Sequence, residues 1–254
     1  MTHPLSLSRW LSLPLRDVFR GLDRCLDAGL RGLAGVGCGL LAGWWIYVPV
    51  HELMHAAACV VTGGTVSRLE IDSLYGGRLL GRLFTLIVPA NAYAGRLSGF
   101  DVHGSDFVYL ATDLGPFFLA LFPGCWALRR AARARRPFLF GLSLPCAVAP
   151  FLSLSGDAYE IGSILTTRLP PWSDAPVRAL LRGDDLFLKI RTFAALPQSL
   201  RDAWGTWVGL ALAALLGVAW AFLVYGLADR LATLLGQPAL PQAESFSQSD
   251  SGAS

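Results

Sequence analysis

Lysine is all but missing from this chain. Lys189 is the only one, so nearly all of the positive charge is arginine. Charge of either sign is scarce too: Asp, Glu, Lys and Arg make up 15% of the 254 residues, against 54% hydrophobic residues. That balance is not the composition of a soluble globular chain, and the long uncharged runs imply several membrane spans. The net charge of +3 is too small to imply a nucleic-acid partner. Close cysteine pairs are absent as well. Cys25, Cys38, Cys59, Cys125 and Cys146 stand apart, which excludes zinc-ribbon spacing and argues against a disulfide framework. Most lie in apolar segments and read as small buried residues. Histidine is the last scarcity, with four in all.

Two of those four sit in one short motif inside the first long apolar segment. His51, Glu52, Leu53, Met54 and His55 spell H-E-x-x-H, and Glu52 is the only Asp, Glu, Lys or Arg between residues 33 and 62. Positions i and i+4 share a helix face, so both imidazoles can bind one metal with Glu52 beside it. Ionisable groups are expensive in lipid, which marks the cluster as a functional site. Cys59 lies one more turn along the same face and is not expected to be a ligand.

Four spans are expected, at about 33–62, 106–128, 137–167 and 204–227. Pro49 falls two residues before His51 and predicts a kink or break that would let water reach the histidines. Glycines at 32, 35, 37, 39 and 43 allow close helix approach. Residues 65–89 read as a hairpin or re-entrant loop, with a turn at Tyr75-Gly76-Gly77 and a β-prone run at 84–88. The fold class is therefore an all-α polytopic membrane protein, with a short β-like segment after the first of about four helices. Residues 168–203 form a polar connection carrying a surface helix.

Three regions follow from this reading: an amphipathic N-terminal segment at 1–32, a membrane-embedded domain at 33–232, and a disordered tail at 233–254 rich in Ser, Gln, Pro and Ala. Arginines at 9, 16, 20, 24 and 31 interrupt any apolar run long enough for a cleavable signal. The segment reads either as a helix lying on the membrane surface or as an ordinary solvent-facing helix. Arg129, Arg130, Arg133, Arg135 and Arg136 argue that the end of the second span faces the cytoplasm. Four spans would then place both termini inside.

A hydrolytic zinc site needs three protein ligands and one open position. Beyond His51 and His55, the candidates in order are Asp157, Glu160 one turn further on, Asp113, and His103 in a loop. The competing reading for each acid is a pair with an arginine or a cap on a broken helix. Zinc lowers the pKa of water from ~15.7 towards 7. Glu52 would accept the proton and pass it to the leaving amine.

These motifs resemble the site-2 protease family of intramembrane zinc metalloproteases. That family carries H-E-x-x-H in one membrane helix, Gly-Pro in a later one and an Asp-containing motif in a third. Here His51–His55, Gly115-Pro116 and Gly156-Asp157 follow in that order, and the resemblance covers roughly residues 40–165. It implies an enzyme of the bacterial cytoplasmic membrane that cuts membrane-protein substrates, with His51, His55 and Asp157 holding zinc and Glu52 catalytic. Leu119 stands where the family has Asn, and Gly precedes Asp157 where the family has Gly after it, marking a divergent branch. The alternatives are a non-proteolytic metal-binding or interaction protein and a transporter. Glu52, which metal binding does not require, favours the enzyme. A transporter would show repeat symmetry and more spans.

Overall fold

The computed structural model describes residues 7–183, 185–195 and 204–241. Two short helices, α1 (Leu7–Leu11) and α2 (Leu13–Leu26), precede a 32-residue helix, α3 (Leu30–Val61). Pro49 does not break α3, which runs unbroken through the expected break point and carries the H-E-x-x-H motif in its second half. Within a long helix the single donor that proline lacks is a local loss, and the turns on either side are held by their neighbours.

After α3 the chain builds a small mixed sheet, which corrects the all-α expectation. Strand β1 (Thr65–Asp72) leads through helix α4 (Gly77–Leu83) to β2 (Ile87–Ala90), parallel to it. Strand β3 (Gly95–Asp101) then pairs antiparallel on the other side, giving the order β2-β1-β3. The predicted turn at 75–77 is present and the β-prone run at 84–88 becomes strand only from Ile87, but α4 intervenes and turns the expected hairpin into a crossover. Alternation drives it: Leu69 and Ile71 on β1 are fully buried with Ile87 against Ala56 of α3. The sheet therefore sits directly on the helix that carries the histidines.

The second apolar segment begins as α5 (Asp106–Leu114), tightens into a 3-10 turn at Gly115–Phe117, passes through a π turn at Ala120–Gly124 and continues as α6 (Cys125–Arg133). Phe122 is non-helical inside that turn, next to Pro123. The expected third span is not one helix. It forms α7 (Pro137–Ala147), α8 (Ala149–Leu152) and α9 (Asp157–Thr166). Pro150 cannot donate to the preceding turn, and Ser153 to Gly156 separate α8 from α9. Helices α10 (Ala175–Leu181) and α11 (Leu186–Ala194) occupy the polar connection, and α12 (Trp204–Leu234) closes the fold. Three stretches among the described residues, Leu30–Val61, Asp106–Arg133 and Gly205–Leu234, are long and apolar enough to cross a membrane, rather than the four expected.

Helix α9 packs antiparallel against α12 at two glycines. A Cβ on Gly162 would lie 1.9 Å from the Ala213 carbonyl oxygen, and one on Gly217 would lie 2.2 Å from that of Ala158. The N-terminal segment folds inward. Asp17 of α2 is buried against Arg129 of α6, which itself has no exposed surface. Leu15 and Phe19 on the outer face of α2 are exposed. Of the expected disordered tail, residues 235–241 fold back with Leu240 buried and its carbonyl accepting from Arg20 at 2.7 Å, while 242–254 lie outside the described residues.

Candidate metal centre

One turn of α3 places His51 and His55 on a shared face, and the start of α9 brings Asp157 to them. The three ligating atoms lie within 4.8 Å of one another. His51 Nε2 is 3.2 Å from Asp157 Oδ2, His55 Nε2 is 3.3 Å from Asp157 Oδ1, and the two Nε2 atoms are 3.2 Å apart. All three side chains are largely withdrawn from solvent.

Each imidazole is oriented through its other nitrogen. His55 Nδ1 donates to the Thr112 carbonyl at 2.8 Å. A carbonyl only accepts, so Nδ1 carries the proton and Nε2 of the neutral ring presents a lone pair to the centre. His51 Nδ1 lies 2.9 Å from the Tyr47 hydroxyl, one turn back on α3. The two Nε2 atoms face each other at 3.2 Å, a separation at which they share one proton or one cation. Asp157 Oδ2 is buried and makes no geometrically sound hydrogen bond, although His51 stands 3.2 Å away. Two imidazole Nε2 atoms and an orphaned carboxylate oxygen form a donor set that fits a tetrahedral zinc ion with a fourth position open.

The Gly115-Pro116 turn explains how Thr112 reaches His55. A Cβ on Gly115 would stand 2.5 Å from the Met54 carbonyl oxygen, so only glycine lets the end of α5 lie against α3 within the motif. Glu52, also buried, lies against β3, which passes so closely that a Cβ on Gly95 would meet Glu52 Cγ at 2.3 Å. A cavity of about 400 Å³ opens here, bounded by Glu52, His55 and Asp157, by β3, and by α11 through Leu188.

The other candidates separate cleanly. Glu160 lines the cavity and accepts from Tyr109 at 3.0 Å, outside the convergent trio. Asp113 is buried in the cavity wall with Oδ2 unpartnered. His103 is exposed in the loop after β3, 3.2 Å from Asp101, so the expectation of a fallback ligand there is corrected: the sheet carries it to the surface. Cys59 is buried with its thiol 3.8 Å from the Thr65 carbonyl, one turn past the trio. Sequence reasoning missed Thr112, whose contribution is a main-chain carbonyl. It also missed Tyr47, although the i, i+4 spacing to His51 was a usable signal.

No protein-family model, no curated protein and no solved structure matches this chain.

Proposed function

We propose that the protein is a membrane-embedded zinc metalloprotease, similar to the site-2 proteases, that hydrolyses peptide bonds in or near the transmembrane segments of other proteins in the bacterial cytoplasmic membrane. The observation that carries this reading is the convergence of His51, His55 and Asp157, from segments far apart in the chain, beside a Glu52 that faces a cavity.

His51 Nε2, His55 Nε2 and the Asp157 carboxylate would hold the zinc. Bound there, the ion supplies Lewis-acid polarisation of a peptide carbonyl and of water. Glu52 takes the proton from the attacking water and returns it to the leaving amine, for which its place next to both the histidines and the cavity suits it. Thr112 and Tyr47 hold the imidazoles so that their Nε2 atoms stay directed inward. Protease substrates bind in extended form. Strand β3, the sheet edge along the cavity, offers main-chain groups beside which an extended segment can lie.

Metal analysis of the purified chain tests the reading. One zinc per chain is expected, lost in His55→Ala and weakened in Asp157→Ala. Glu52→Gln should keep the zinc and abolish cleavage of a membrane-helix substrate. Unchanged cleavage by Glu52→Gln removes the proteolytic mechanism. Full zinc in Asp157→Ala, with loss in Glu160→Ala, moves the third ligand.

A further inference from the structure

Away from the metal centre, helices α3, α6 and α7 leave a groove between them of about 730 Å³. Small and apolar residues form its length, among them Gly43, Gly124, Ala127 and Leu142. At the end where α6 turns into α7, three arginines line it: Arg130, Arg133 and Arg136. The groove is thus apolar along its body and cationic at one end.

The five arginines of this cluster are not equivalent. Arg129 is fully buried and held by Asp17 and Asp229, and Arg135 lies 3.5 Å from Asp27. The three that line the groove pair with no carboxylate among the described residues. Arg133 donates to the Gln237 side-chain oxygen at 2.5 Å and to the Pro238 carbonyl, both neutral. Arg130 stacks over Trp126 at 5.3 Å and is exposed, as is Arg136. Around the body of the groove, Ile46, Phe122 and Leu139 are exposed as an outward apolar face. In a chain with three helices fit to cross a membrane, the arginines lie where those helices end: α3 starts at Leu30, α6 ends at Arg133 and α12 ends at Leu234.

We propose that this groove binds an anionic phospholipid, with one acyl chain along the small-residue body and the headgroup phosphate on Arg130, Arg133 and Arg136. Lipid tails are already in an apolar medium, so the tail adds fit rather than affinity. Discrimination lies in the headgroup. Guanidinium forks match phosphate oxygens in pairs, and basic pockets between membrane helices take such headgroups. A zwitterionic lipid brings its own ammonium group into the cationic end and is disfavoured. The site shares no residue with the metal centre and stands whether or not the chain is a protease.

The test is native mass spectrometry of the full chain in detergent, titrated with phosphatidylglycerol and with phosphatidylcholine of the same acyl chains. One phosphatidylglycerol per chain is expected, bound at least about fivefold more tightly than phosphatidylcholine, the factor set by one arginine near the membrane surface. Arg130→Gln with Arg136→Gln, both at exposed positions, should weaken it by about fivefold for each arginine removed. Ala127→Trp, which fills the body and keeps the arginines, should also release the lipid. Equal retention of the two lipids overturns the proposal, as does a phosphatidylglycerol signal unchanged in both variants. Displacement by inorganic phosphate as readily as by lipid overturns it too, since the site would then read the phosphate alone. So does a dimer of the wild type that dissociates in Ala127→Trp, because the face would then be covered by a second copy.

Discussion

At the scale of single residues, the centre depends on groups that orient others. Thr112 contributes only its carbonyl, which leaves His55 Nε2 free to accept a metal, and no side-chain substitution at 112 removes that bond. Tyr47 orients the His51 ring through a hydroxyl, which can donate to or accept from Nδ1. Tyr47→Phe is therefore expected to lower zinc affinity by about 10–100-fold, measured by competition with a chromogenic chelator, while zinc still binds. Under the proposed function, Gly95 separates metal binding from catalysis. Gly95→Ala places a methyl against Glu52 Cγ and displaces the carboxylate without touching the ligands. Zinc content should stay at the wild-type level while cleavage falls by roughly 10²-fold, the cost of a misplacement of about 1 Å. Cleavage at the wild-type rate would show that Glu52 tolerates the shift. The histidines and Glu52 were legible in the sequence because helical periodicity alone puts them together. Thr112 was not, because a main-chain carbonyl carries no residue signature.

At the scale of elements, the break between α8 and α9 is the decisive feature. A continuous helix over 137–167 would have fixed Asp157 by its distance along one rod. The break instead starts α9 at Asp157, so the packing of α9 on α12 places the carboxylate. That contact has no room to spare at Gly162. Gly162→Ala should lower stability by ~1–3 kcal/mol through overpacking and weaken zinc binding with it. Gly37→Ala on α3, where an added methyl meets nothing within 4 Å, should leave both unchanged. Thermal unfolding and zinc titration of the two variants check this. Pro145 and Pro150 are helix-bending residues that the sequence displays, but proline alone does not say that the bend becomes a separation between helices. The sheet was half visible: the turn at 75–77 and the β-prone run at 84–88 signalled a hairpin or re-entrant loop, whereas the parallel β1–β2 pairing depends on α4 crossing over, and short apolar runs do not declare their partner.

At the scale of the whole molecule, polar clusters brace a largely apolar bundle. One is the His51–His55–Asp157 cluster. Another joins Asp17, Arg129, Asp229 and Tyr225, tying α2, α6 and α12 together at the arginine-rich end. Breaking a buried pair from one side leaves an uncompensated charge, so Arg129→Met should destabilise the fold by ~3–5 kcal/mol, seen in thermal unfolding, while zinc per folded chain stays the same. Loading the metal centre should raise the unfolding temperature. At a hundredfold excess of zinc over its dissociation constant the gain is ~2.7 kcal/mol. A chelator should reverse it, and Asp157→Ala should show a much smaller shift. An equal shift in wild type and Asp157→Ala would mean that zinc acts elsewhere.

Composition by itself determined that long apolar helices dominate this chain, and the spacing of His51, Glu52 and His55 determined that they share one turn, because both properties are local to a stretch of backbone. Only the tertiary structure decided which acid meets the histidines, that β3 rather than solvent lies against Glu52, and that Arg129 is buried while its neighbours line a groove. These outcomes depend on which faces pack together across long separations in the chain, and packing of that kind is set by glycine contacts, helix breaks and buried charge pairs acting jointly, not by any short run of residues.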